Sequence, residues 1–112
     1  MRLKILGLLA LTVMAAALTS SAWARTTSVR VSDNYFMRAQ GVPTVTVPRG
    51  ATVRWVFVGR SAHNVSGRGP VKFRSDTMTS GSYTKRLTKR GDYRIMCSIH
   101  GSSDMSMLLR VR

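Results

Sequence analysis

The chain has a single cysteine, Cys97, and no glutamate; four aspartates are its only acidic side chains. One cysteine cannot form an intramolecular disulfide, so the staple that small exported domains often use is excluded. Two histidines, His63 and His100, with that one cysteine are too few for a structural zinc site. No Ser-His-Asp arrangement has supporting context, which leaves nucleophilic catalysis without a candidate. Helical periodicity is missing beyond residue 24 as well, since no segment there repeats apolar residues at helical spacing over three turns.

Long apolar runs are confined to the N-terminus. In "MRLKILGLLALTVMAAALTSSAWA", Arg2 and Lys4 form a basic start, Ile5 to Leu18 an apolar core, and Ala22-Trp23-Ala24 a small-residue cleavage site. The run falls short of the ~20 residues that span a bilayer, and no stop-transfer pattern follows it. Residues 1–24 therefore read as a signal peptide and residues 25–112 as one small domain, expected in the periplasm or outside the cell. In such a compartment an unpaired thiol has to be buried, paired with another chain, or held by a metal.

Beyond the signal, sixteen Lys and Arg face four Asp, a formal net charge of +12. Such a surface attracts anionic partners in a salt-dependent way, whether acidic proteins or an anionic membrane surface. The cations are mostly arginines scattered along the chain, so a merely solvated surface is an equal reading, and no specific nucleic-acid site is expected.

What the mature chain does have is period-two alternation broken by turn residues. "TSVRVSDNYF" places Val29 and Val31 on one face, and "VPTVTVPRG" does the same with Val45 and Val47 before Pro48 and Gly50 end the strand. "ATVRWVFVG" sets Val53, Trp55 and Phe57 on one face and Val56 and Val58 on the other, which predicts burial on both sides. A polar bend, "RSAHNVSGRGP", follows, and the stretch from Ser66 to Gly81 reads as either a short helix or an irregular edge. "SYTKRL" and "DYRIMC" read as a hairpin turning at Gly91, and "MSMLLRVR" as the last strand. Seven or eight short strands of this kind predict an all-β Greek-key β-sandwich.

The chemistry gathers in "YRIMCSIHGSSDMSM". Cys97 ends a predicted strand, His100 lies three residues on in the following loop, and Met105 stands where the last strand begins. Thiolate, imidazole and thioether are soft to borderline donors that favour copper over magnesium or calcium. A second histidine would complete a trigonal His₂Cys set with a weak axial methionine, and His63, at the polar bend, is the only other one in the chain. Singly, each residue has an ordinary reading: a buried cysteine as a small hydrophobe, a histidine in a turn as surface, a methionine as core filler. The spacing Cys-x₂-His-x₄-Met at a strand-loop-strand junction, together with a lone exported thiol, weakens those readings jointly. Met107 competes with Met105 for the axial place.

With "SAHNV" around His63 and "YRIMCSIHGSSDM" from Tyr93 to Met105, the sequence resembles the cupredoxins of the plastocyanin and azurin group, the type 1 blue copper proteins. The resemblance covers the mature chain. It implies one copper per chain, with His63, Cys97 and His100 as strong ligands and Met105 as the long axial one. It also implies that Asn64 bonds across to Ser98, and that His100 projects from an apolar patch for which Ile99 and Met107 are candidates. Met107 departs from the pattern, standing where the family commonly has glycine, and the 34 residues between His63 and Cys97 are fewer than in plant plastocyanins.

The implied function is single-electron transfer between protein partners, by a monomer that is not an enzyme. Two other classes use the same sequence features. A copper sequestration or delivery protein would employ the same ligands, and a binding module for anionic surfaces would employ the arginines and not need the metal residues.

Overall fold

The computed structural model describes residues 25–37, 44–101 and 105–112; the predicted signal peptide lies outside them. The described residues form nine strands and no helix: β1 (Thr26–Ser32), β2 (Tyr35–Met37), β3 (Thr44–Val47), β4 (Thr52–Phe57), β5 (Ser66–Arg68), β6 (Phe73–Arg74), β7 (Gly81–Arg86), β8 (Gly91–Met96) and β9 (Ser106–Val111). They assemble into two sheets, ordered β2-β1-β4-β7 and β3-β9-β8-β5-β6. This is the expected all-β sandwich. The strands not named from the sequence are β2, β5 and β6, which at three, three and two residues are too short to show as alternating runs.

Alternation sets the core. Val29 and Val31 of β1 lie beside Trp55 and Phe57 of β4 in parallel register, and all four are buried. From the other sheet, Tyr93 and Ile95 of β8 pair with Leu109 and Met107 of β9 and are buried with them. Burying the Trp55 indole contributes roughly 4–6 kcal/mol from its apolar area. That exceeds the roughly 1–3 kcal/mol lost because its Nε1 finds no hydrogen-bond partner among the described residues. The opposite face of β4 is not buried as predicted: Val56 is half-buried and Val58 is 45% exposed, because none of the described residues forms a layer on the outside of that sheet.

Two connections differ from expectation. "SYTKRL" and "DYRIMC" are not a hairpin, since β7 belongs to the first sheet and β8 to the second. Leu87, itself buried, continues the pairing beside Ala51, donating to its carbonyl at 2.9 Å, and the chain then crosses between the layers. The crossing is pinned by the Tyr93 hydroxyl, which donates to the Lys89 carbonyl at 2.7 Å, a tyrosine holding a corner to the strand it starts. The open stretch from Ser66 to Gly81 resolves as an irregular edge carrying β5 and β6, without a helix. Gly67 is required there, because a Cβ would overlap the Phe73 ring of β6.

Candidate metal centre

The site forms where β4 and β8 end and β9 begins. Along β8 the inward row Tyr93, Ile95 continues to Cys97, and along β9 the facing row Leu109, Met107 continues back to Met105. Cys97 N–H donates to the Met105 carbonyl at 3.2 Å, so the two residues oppose each other one step beyond the last regular pair. Both are fully buried. Met107 pairs with Ile95, a step deeper in the core. It is 4% exposed and so takes no part in the apolar surface patch expected of it; strand parity turns it inward.

Between them the loop is held by its own backbone. Gly101 N–H donates to the Cys97 carbonyl at 2.9 Å and Met105 N–H to the Gly101 carbonyl at 3.2 Å. Gly101 has φ +81°, a left-handed conformation that glycine adopts without strain. This turn returns His100 toward the strand it left, placing its Nδ1 3.6 Å from Cys97 Sγ.

His63 arrives from the other sheet's side, six residues after β4. Its backbone exchanges hydrogen bonds with Met78, at 3.0 and 2.8 Å, an isolated antiparallel bridge that fixes the segment to the one leading into β7. The side chain is 1% exposed and points Nδ1 at Cys97 Sγ, 3.9 Å away. Next to it, Asn64 ties the two loops as expected, its Nδ2 donating to Ser98 Oγ at 2.7 Å and its Oδ1 accepting from Ser98 N–H at 2.9 Å.

Three donor atoms, from His63, Cys97 and His100, thus lie within 4.8 Å of one another. A metal held in a trigonal plane by bonds of about 2.0–2.3 Å sets nitrogen-to-sulfur separations of about 3.8 Å. The 3.9 and 3.6 Å separations match that value for both nitrogen–sulfur pairs. One thiolate and two imidazoles, with a thioether beside them, make a donor set suited to one copper per chain.

Sequence reasoning missed Asp33. It lies in the two-residue turn between β1 and β2, and its Oδ1 stands 3.1 Å from His63 Nε2. Backbone N–H groups of Arg60 and Ser61, and then His63, hold its carboxyl at about 2, well below the usual carboxylate range. Thirty residues separate it from His63, and only its rarity, one acid of four in a basic chain, set it apart.

No protein-family model matches the sequence, and no curated protein does. Solved structures do. Amicyanin from Paracoccus versutus is 26% identical, with a TM-score of 0.65 over 80% of this chain and 83% of its own. A purple cupredoxin from Nitrosopumilus maritimus is 21% identical, with a TM-score of 0.61 over 77% and 99%. The Cu-containing nitrite reductase from Thermus scotoductus is 24% identical, with a TM-score of 0.63 over 78% of this chain but only 22% of its own length. The layered strands, the donor spacing and these likenesses agree with one another: the chain has the cupredoxin fold and carries a donor cluster consistent with a type 1 copper site.

Proposed function

We propose that this chain is exported, loses residues 1–24, and works as a one-electron carrier between protein partners, with His63, Cys97 and His100 as strong copper ligands and Met105 as the weak axial one. The observation that carries the reading is the convergence of His63 Nδ1, Cys97 Sγ and His100 Nδ1 within 4.8 Å at the end of a sandwich, beside buried Met105. When bound, copper supplies a one-electron couple between its two oxidation states. The residues do the rest. Backbone bonds around the loop and the Asn64–Ser98 tie hold the donors in one arrangement for both states, which keeps nuclear rearrangement small. Burial of Cys97 and Met105 excludes water from the sulfur side.

His100 is half-buried and follows Ile99, which is 53% exposed, so its ring edge is the route by which an electron enters and leaves. The formal charge of +12 beyond the signal favours an acidic partner, with salt-sensitive encounter, and the same charge allows weak adhesion to an anionic membrane surface. No open ligand position is assigned to a substrate, and the protein is proposed as a monomeric carrier and not an enzyme.

The visible spectrum of the copper-loaded protein tests this. An intense thiolate-to-copper absorption, abolished by Cys97→Ser, together with reversible one-electron cycling is the expected result. A colourless protein that takes up no copper overturns it, and a coloured protein that releases copper rapidly without cycling indicates delivery in place of electron transfer.

A further inference from the structure

We propose that Asp33 is a positioning residue for the metal centre: acting through His63, its carboxylate selects the ring nitrogen offered to the metal and lowers the reduction potential. This rests on the electron-transfer reading above. The Asp33 carboxylate accepts the Arg60 N–H, 3.0 Å from both oxygens, and the Ser61 N–H at 2.9 Å, and it faces His63 Nε2 at 3.1 Å. An ionised carboxylate can only accept, so the proton on the His63 ring belongs on Nε2. Nδ1 is then left with its lone pair toward Cys97. The ring is 1% exposed, and water has little access to supply a competing partner.

The approach is built into the backbone. A Cβ at Gly59 would overlap the Asp33 carboxylate, so a residue without a side chain is what lets the turn between β1 and β2 close over the segment leading to His63. Asn34, at φ +72°, gives that turn its shape, and asparagine is among the few side chains that tolerate it.

A backbone carbonyl in the same place would fix the tautomer equally well. A carboxylate adds a full negative charge one imidazole away from the metal, which raises ligand basicity and favours the more positive oxidation state. Asp33 is 38% exposed, so solvent screens part of that charge. The expected contribution is therefore a single decade in the ratio of oxidised-form to reduced-form affinity, about 59 mV for one electron.

Asp33→Asn keeps an acceptor and removes the charge, and Gly59→Ala keeps the charge and displaces it. Both are to be made in the full chain, loaded with copper, and titrated electrochemically. The metal-free proteins are to be followed by nitrogen NMR of the His63 ring. Expected are an Nε2-protonated ring in metal-free wild type, a potential raised by about 59 mV in Asp33→Asn, and a rise in the same direction in Gly59→Ala. An Nδ1-protonated ring in wild type, or an unchanged potential in Asp33→Asn with its thiolate absorption intact, overturns the assignment. Should wild type take up no copper, the electron-transfer reading fails by itself, and the tautomer measured without metal still decides whether Asp33 sets the ring.

Discussion

His63 and His100 offer the same ring nitrogen to the same sulfur, and their surroundings are otherwise opposite. His63 is 1% exposed, its backbone is bridged to Met78 on both sides, its neighbour Asn64 is tied to Ser98, and its far nitrogen meets Asp33. His100 is half-buried in a turn beside exposed Ile99, with its ring against Cys97 and His63. One histidine is fixed by the protein from every direction. The other is fixed by a three-residue link to the thiolate and keeps an edge toward solvent. Rigidity and access are thus divided between the two histidines of the proposed centre, and each can be tested separately.

Removing the sulfur they share has the largest effect. Cys97→Ser is expected to abolish the thiolate-to-copper absorption completely, read in the visible spectrum, because neither histidine can supply that transition. Next comes the contrast between the rings themselves. His63→Gly leaves a buried gap and strips Asp33 of a partner, so urea denaturation should show a loss of about 3 kcal/mol. His100→Gly, at a half-exposed position, should lose less than about 1 kcal/mol. Added imidazole should restore the absorption only in His100→Gly, since only that opening faces solvent; equal restoration in both would erase the distinction.

A smaller effect is expected at the tie between the two loops. Asn64→Ala leaves Ser98 N–H and Oγ without their partner and should cost about 1–3 kcal/mol, whereas Ser98→Ala keeps the N–H bond and should cost about 1 kcal/mol or less. The methionines come last, because what separates them is read in the spectrum and not in stability. Met105→Leu is expected to shift the spectrum and potential, while Met107→Leu should leave both alone and change stability by less than about 1.5 kcal/mol. A spectral shift in Met107→Leu instead would move the axial assignment one pair along β9.

The proposed donor set draws on local sequence, three of its members lying within nine residues and the fourth being the only other histidine, and the structure brings donor atoms of His63, Cys97 and His100 within 4.8 Å of one another. Spacing alone did not separate Met105 from Met107; the register of β8 on β9 places them differently, Met105 opposite Cys97 and Met107 opposite Ile95, which is why Met105 is the one proposed as axial. The sandwich was legible for the same local reason, since alternation is written residue by residue in β1, β4, β8 and β9. What escaped was non-local. Asp33 reaches His63 only because β1 runs parallel to β4, a pairing that no short stretch encodes. The apparent hairpin at Gly91 was misread because its glycine suits a hairpin and a change of sheet alike, and the buried Leu87 and the Tyr93 corner choose the latter. Val58 shows the limit of apolar pattern: the residue is hydrophobic, yet no layer among the described residues covers it.

The position of β9 has a consequence for how the molecule assembles. The last strand in the chain is interior to its sheet, flanked by antiparallel β8, its neighbour in sequence, and by parallel β3 from far upstream. The β8–β9 hairpin closes a short loop, so Cys97, His100 and Met105 are brought together at low loop-closure cost. The β3–β9 pairing, like β1 on β4, must meet its loop-closure entropy before any contact rewards it, which places the fold among the slower, millisecond-to-second folders. His63 joins the other donors only when the layers close. A metal that demands both imidazoles therefore binds the finished molecule and discriminates against the partly folded one, so that occupancy reports completed folding and draws the equilibrium toward it by mass action.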